Sequence, residues 1–235
     1  MLPVKKIQEG VCDYIETKDS EAIIAKMTDI KERNEFGSLS TNISELASAI
    51  DRYTGEIVTL TGERERVAAE LDLARAIQTG QLPRSFPAFP ERTEFDIYAS
   101  MDPAKEVGGD FYDFFFVDDD HLALVIADVS GKGVPAALFM MMSKILIKNL
   151  TAMGLSPAEV MTRTNETLCK NNEESMFVTV WLGILEISSG EMVAANAGHE
   201  YPMVRQPGGK FELYKDTHGF VIGGRPGSTI SPAQG

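Results

Sequence analysis

Glu106-Val107-Gly108-Gly109-Asp110-Phe111-Tyr112-Asp113, read with Ala127-Asp128-Val129-Ser130-Gly131-Lys132-Gly133, decides how this chain is understood. Between the two stretches lie an aromatic run over residues 111–117, an Asp118-Asp119-Asp120 turn and an apolar run over residues 122–129. That order predicts a β-hairpin, and a tight hairpin sets its two outer ends, Asp110 and Asp128, side by side. Each carboxylate is flanked by glycines that let the backbone crowd a ligand. Paired hard oxygen donors in such surroundings suit Mg²⁺ or Mn²⁺. Asp110 and Asp128 are therefore the candidate metal ligands.

Other residues nearby carry two readings. Asp110 also fits a simple Gly-Gly-Asp turn, and Asp128 a loop cap. Asp113 reads as a solvated strand residue rather than a ligand. Lys132 either steers phosphate or is a solvated loop lysine, and the loop lacks P-loop spacing. His199 reads as an acid near the site or as a structural turn histidine. Met140, Met141 and Met142 read as core.

The whole chain of 235 residues has a formal net charge of −13 and is 43% hydrophobic. It is long enough for one large domain or two smaller ones with a real core. The negative balance argues against nucleic-acid binding through phosphates, which needs basic patches, and against anionic lipid surfaces. Cys12 and Cys169 stand far apart and in no metal-binding spacing, which points to reduced thiols in a cytoplasmic setting. Lys5, Lys6 and Glu9 interrupt any signal-peptide pattern. The most apolar run, residues 134–150, contains Ser143, Lys144, Lys148 and Asn149 and falls short of the ~20 residues of a membrane span. A buried helix is expected there instead.

At the start of the chain, Ile7, Val11 and Ile15 recur at helical spacing, with Pro3 in the first turn. A polar connector is expected over residues 17–34. Ile43, Leu46, Ile50, Tyr53, Ile57, Leu60, Arg64, Val67, Leu71 and Ala74 then alternate in heptad fashion. That seam predicts a two-stranded coiled coil, against the alternative of one amphipathic helix packed on its own domain. Gly55 and Gly62 weaken this helix by roughly 1 kcal/mol each. Pro83, Pro87 and Pro90 end it and predict an extended linker.

Beyond the linker the texture changes to short strands, expected at residues 95–101, 111–117, 122–129, 177–187 and 192–197. A further hairpin joins residues 202–205 to 211–214 around Gln206-Pro207-Gly208-Gly209. One helix opens at Val134-Pro135 and, being apolar on nearly all sides, is expected to be sandwiched. A second opens with the capping box Ser156-Pro157-Ala158-Glu159 and runs to about Lys170. Strands, two helices, then more strands predict an α+β layered sandwich rather than a βαβ repeat.

Two resemblances add to this reading. Pro3, the connector and Asn34-Glu35-Phe36-Gly37-Ser38-Leu39 ahead of an amphipathic helix resemble a HAMP signal-relay module, although Asn34 and Phe36 depart from its commonest signature. HAMP modules are parallel dimeric bundles that usually follow a transmembrane helix. The resemblance therefore implies a homodimer through residues 43–77. It also implies the cytoplasmic portion of an inner-membrane protein with an upstream transmembrane sensor.

The two opening stretches, continued through Val134-Pro135-Ala136-Ala137-Leu138-Phe139-Met140, and Asn196-Ala197-Gly198-His199 resemble the SpoIIE/RsbU-type phosphatases. These are bacterial members of the metal-dependent, type 2C serine/threonine phosphatases. Ala74-Arg75-Ala76-Ile77-Gln78 with Leu82-Pro83 resembles the helix that leads into that domain. The implied organisation is a HAMP-like module over residues 1–55, a coiled-coil linker over 56–92, and the first part of an αββα sandwich over 93–235.

The implied activity is hydrolysis of phosphoserine or phosphothreonine on a protein, by resemblance an anti-sigma-factor antagonist. The implied centre holds two Mn²⁺ or Mg²⁺ ions. Asp128 bridges them, the Val129 carbonyl binds one, and Asp110 holds a metal directly or through its water; no side-chain nucleophile is assigned. The family's further metal-binding aspartates have no counterpart after Asp128, so the centre is expected to be incomplete and residues 1–235 alone inactive. Two other readings stand beside this one: a non-catalytic phosphoprotein-binding scaffold, and a GGDEF nucleotide cyclase remnant. The latter is disfavoured because the acidic residue after Gly-Gly-Asp is absent.

Overall fold

The computed structural model describes residues 2–31, 34–102 and 107–232. The chain divides into two compact units, Met1–Glu70 and Leu71–Gly235.

In the first unit, α1 (Pro3–Thr17) pairs with α2 (Ser20–Thr28), and α3 (Glu35–Gly80) begins. Ile7, Ile23, Met27 and Ala47 form a small buried core with Val11, Tyr14, Ile24 and Phe36 packed around it. Gly10 permits the close approach of α1 and α2, because a Cβ there would meet the Met27 methyl at 2.7 Å. Residues 17–34, expected as a polar connector, thus carry a nine-residue helix. Asp19 caps it by accepting from the Ala22 N–H at 2.9 Å, and burial of Ile23 and Met27 holds it down. Charged neighbours hid an apolar pair spaced i, i+4.

The helix α3 is 46 residues long and passes without a break through Gly55 and Gly62. Beyond Ala47 the heptad side chains Ile50, Tyr53, Ile57, Leu60 and Val67 are 40–64% exposed.

The second unit is built on an antiparallel sheet of β1 (Phe111–Phe116), β2 (His121–Val129), β3 (Val178–Glu186) and β4 (Met192–Ala197), in that order. Register partners Phe111 and Ala127, Ala127 and Val180, and Leu182 and Ala195 share one face of it. That face is buried with Phe139, Met140 and Ile147 of α4 (Val134–Ala152) and Val160, Met161 and Leu168 of α5 (Pro157–Cys169). The capping box opens α5 as its sequence requires: Ser156 Oγ accepts from the Glu159 N–H, and the Glu159 carboxylate accepts from the Ser156 N–H. A separate hairpin joins β5 (Met203–Arg205) to β6 (Phe211–Leu213).

On the opposite face, Phe114 and Phe116 lie against Phe86 and Phe89 of the proline-rich segment. Toward the other end of the hairpin this face opens, with Ile126 49% exposed and Asp128 exposed.

Three expectations need correction. Residues 95–101 keep a strand's alternation, with Phe95, Ile97, Ala99 and Met101 half-buried and Asp96, Tyr98 and Ser100 exposed, yet they join no ladder among the described residues. Periodicity reports which side is wet, not whether a hydrogen-bonding partner exists. The helix α4 is buried on one side only: Val134, Leu138, Met142 and Ile145 are exposed. Met140 is therefore core, Met141 packs against it, and Met142 faces outward. Asp113 is buried rather than solvated. It pairs with the buried Lys144 Nζ, and Lys148 Nζ approaches to 3.8 Å.

Candidate metal centre

The hairpin turn is set by Asp118, whose Oδ1 accepts from the N–H groups of Asp120 and His121 at 2.9 Å each. From that turn the ladder runs in register to the pair Phe111 and Ala127, so Asp110 and Asp128 stand opposite each other one step further on. Their carboxyls are within hydrogen-bonding reach. Partial desolvation, then the hydrogen bond and charge of Asp128, push the Asp110 carboxyl up to about 6. Two carboxylates this close disfavour joint ionisation unless a cation lies between them.

Gly109 explains how the loop comes so near. A Cβ there would lie 3.0 Å from the Val129 carbonyl oxygen and 3.3 Å from Ala136 Cβ. The absence of a side chain lets the segment before β1 settle on Val129 and on the first turn of α4. Two carboxylates and the Val129 carbonyl are the hard oxygens at this end of the sheet that could hold Mg²⁺ or Mn²⁺. Among the described residues, no group of three or more His, Cys, Asp or Glu is gathered for a metal ion. Glu106, the first residue of the motif, lies outside the described residues.

The loop itself is tied from behind. The Gln78 side-chain amide donates to the Gly108 carbonyl, and its Oε1 accepts from the Gly108 N–H at 3.1 Å. Gln78 is only 2% exposed, so this reciprocal pair is shielded from water. Tyr112 Oη reinforces the tie by donating to the Pro83 carbonyl at 2.7 Å. Gln78 was legible only as part of the helix leading into the domain; its own task was not.

On the far side of Asp128, β3 contributes Thr179, the register partner of Asp128. Thr179 Oγ1 lies 3.3 Å from the Asp128 carbonyl oxygen and 2.9 Å from His199 Nδ1. Asn196 fixes the turn that carries His199. Its Oδ1 accepts from the His199 N–H at 2.8 Å and its Nδ2 donates to the His199 carbonyl at 3.1 Å. Asp216, buried, accepts from the same Nδ2 at 3.1 Å. Desolvation holds the His199 imidazole below its usual range, against the opposing pull of the Asp128 charge. Lys132 is exposed in the loop before α4.

Residues 118–234 match the family model described as Stage II sporulation protein E, SpoIIE. The phosphoserine phosphatase RsbU of Bacillus subtilis is 34% identical over 142 residues, covering 60% of this chain and 41% of that protein. Protein IcfG of a Synechocystis strain is 30% identical over 246 residues, covering 92% of this chain and 38% of that protein. The chain thus spans about two fifths of the length of these curated relatives. Among solved structures, the SiaA-PP2C domain of Pseudomonas aeruginosa superposes with a TM-score of 0.57 at 22% identity, covering 72% of this chain and 67% of that one.

The second unit therefore has the fold of the type 2C phosphatases. Within that class it is a SpoIIE/RsbU-type domain.

Proposed function

We propose that this chain is the regulated, metal-binding part of a bacterial protein-serine/threonine phosphatase. The observation that carries this reading is the facing pair Asp110 and Asp128 on a type 2C fold. In it, Asp128 and Asp110 hold divalent ions together with the Val129 carbonyl. Bound there, Mn²⁺ or Mg²⁺ supplies an activated water and neutralises phosphoryl oxygens. Gly109 keeps the two carboxylates together, and the Gln78 tie keeps Asp110 from drifting. The first turn of α4, beside Gly109, favours an anion such as a phosphoryl group.

The substrate on this reading is a phosphoserine protein, in keeping with the name of the RsbU relative, and by the family resemblance one of the anti-sigma-factor-antagonist kind. The first unit acts as a HAMP-like relay that pairs with a second copy through residues 43–77, an arrangement supported by the exposed heptad side chains of α3. Such a relay would follow a transmembrane sensor and hold these residues on the cytoplasmic face of the inner membrane. Gln78 gives the relay a point of action, since turning the end of α3 pulls directly on Gly108.

The test is phosphate release from a phosphoserine protein by the full-length protein with Mn²⁺ or Mg²⁺. Metal-dependent release is expected. Tight phosphoprotein binding with no release under either metal would favour the scaffold reading.

A further inference from the structure

The proton inventory around Thr179 is tighter than a strand residue needs. Its hydroxyl has one hydrogen and two neighbours, the Asp128 carbonyl oxygen at 3.3 Å and His199 Nδ1 at 2.9 Å. A carbonyl only accepts. If the hydroxyl serves it, Nδ1 must carry a hydrogen and donate to Thr179 Oγ1. The reverse arrangement, hydroxyl to Nδ1, leaves the Asp128 carbonyl with the Thr179 N–H of the β2–β3 ladder alone.

The placement of His199 is specified by more than one strand. Asn196 holds both backbone groups of His199, and the buried Asp216 orients the Asn196 amide through Nδ2 at 3.1 and 3.2 Å. His218 Nε2 stands 3.2 Å from Asp216 Oδ1 on the other side. Gly198 takes φ +72° so that the turn closes, and a Cβ there would meet Val221 at 2.9 Å. An imidazole set by residues from β4 and the loop at Asp216, and delivered to the register partner of Asp128, is built to support that partner.

We infer that His199 is a positioning residue: as an Nδ1–H donor it locks Thr179, and Thr179 fixes the Asp128 end of β2 for metal binding. The inference rests on the metal-centre reading above. It assigns His199 no proton transfer to substrate. The hydrogen bonds run from Asp216 through Asn196 and His199 to Thr179 and Asp128. Residues that orient metal ligands from behind commonly shift metal affinity about 10–100-fold when removed.

The experiment uses the full-length protein and Mn²⁺ alone as the probe, with free Mn²⁺ counted by electron paramagnetic resonance. His199→Asn keeps an N–H near the position of Nδ1 and removes the imidazole; His199→Ala removes both. Thr179→Ser keeps the hydroxyl, and Thr179→Val replaces it with a methyl. The expected result is Mn²⁺ affinity about tenfold weaker in His199→Ala and Thr179→Val, with His199→Asn and Thr179→Ser within about threefold of wild type. Unchanged affinity in Thr179→Val, or His199→Asn as weak as His199→Ala, overturns the inference. Thr179→Val and Thr179→Ser remain decisive should His199→Ala not fold. Because Mn²⁺ is counted directly, the result stands apart from phosphatase turnover: wild-type protein that binds Mn²⁺ but releases no phosphate contradicts the proposed function and leaves this comparison intact.

Discussion

The carboxyl of Asp110 meets that of Asp128 across the open end of the β1–β2 ladder, and partial desolvation, together with the hydrogen bond and charge of Asp128, pushes Asp110 up to about 6. A carboxyl raised in the folded state binds its proton there more tightly than in the unfolded chain. Its contribution to stability is present below the ordinary carboxylate range and is lost as pH rises through about 6. In metal-free protein, the difference in thermal midpoint between wild type and Asp128→Asn should therefore move in favour of Asp128→Asn from pH 4 to pH 7. Saturating Mn²⁺ should flatten the wild-type profile by occupying both carboxylates. A pH-independent difference between the two proteins would show that the pair does not interact.

The Gln78 tie predicts a separable effect. Gln78→Ala leaves the Gly108 N–H and carbonyl without their partner, a loss of about 1–3 kcal/mol for each group kept from water. Thermal unfolding should register that loss. Mn²⁺ affinity should fall as well, because Asp110 lies two residues from Gly108. Lost stability with unchanged Mn²⁺ affinity would mean that Gln78 only staples the helix to the domain.

Asp113 and Lys144 are predicted to act as a pair. Asp113→Leu alone leaves the Lys144 ammonium without its main partner, and Lys144→Met alone does the same to Asp113. Either should destabilise the chain by about 3–5 kcal/mol in urea unfolding, and the double substitution by much less than the sum. Additive losses would contradict a coupled buried pair.

For α3 the expected state is a dimer. Ile57→Asp combined with Leu60→Asp should yield monomers by light scattering at micromolar concentration, where the unaltered chain is dimeric. A monomeric wild-type chain would remove the coiled-coil relay from the account.

Legibility in the sequence followed how local the cause was. The hairpin that joins Asp110 to Asp128 was readable because its aromatic run, aspartate turn and apolar run are contiguous. The start of α5 was readable from Ser156 and Glu159, whose reciprocal bonds span three residues. Three things were not readable. The burial of Asp113 depends on Lys144, which is 31 positions away and arrives with α4. The roles of Gln78 and Asp216 depend on backbone or amide groups about 20 to 30 positions distant, with no local pattern to announce them. Residues 95–101 have a strand's alternation, but alternation carries no information about a ladder partner.

The central claim is that Asp110 and Asp128 form the divalent-metal end of a serine/threonine phosphatase. Its most direct test is phosphate release from a phosphoserine protein by the full-length protein, titrated with Mn²⁺, for wild type, Asp110→Asn and Asp128→Asn. The account predicts release that requires Mn²⁺, a loss of at least about a hundredfold in Asp128→Asn, and a raised Mn²⁺ requirement in Asp110→Asn. Wild-type rates in Asp128→Asn, or release unaffected by removing all divalent metal, would contradict it.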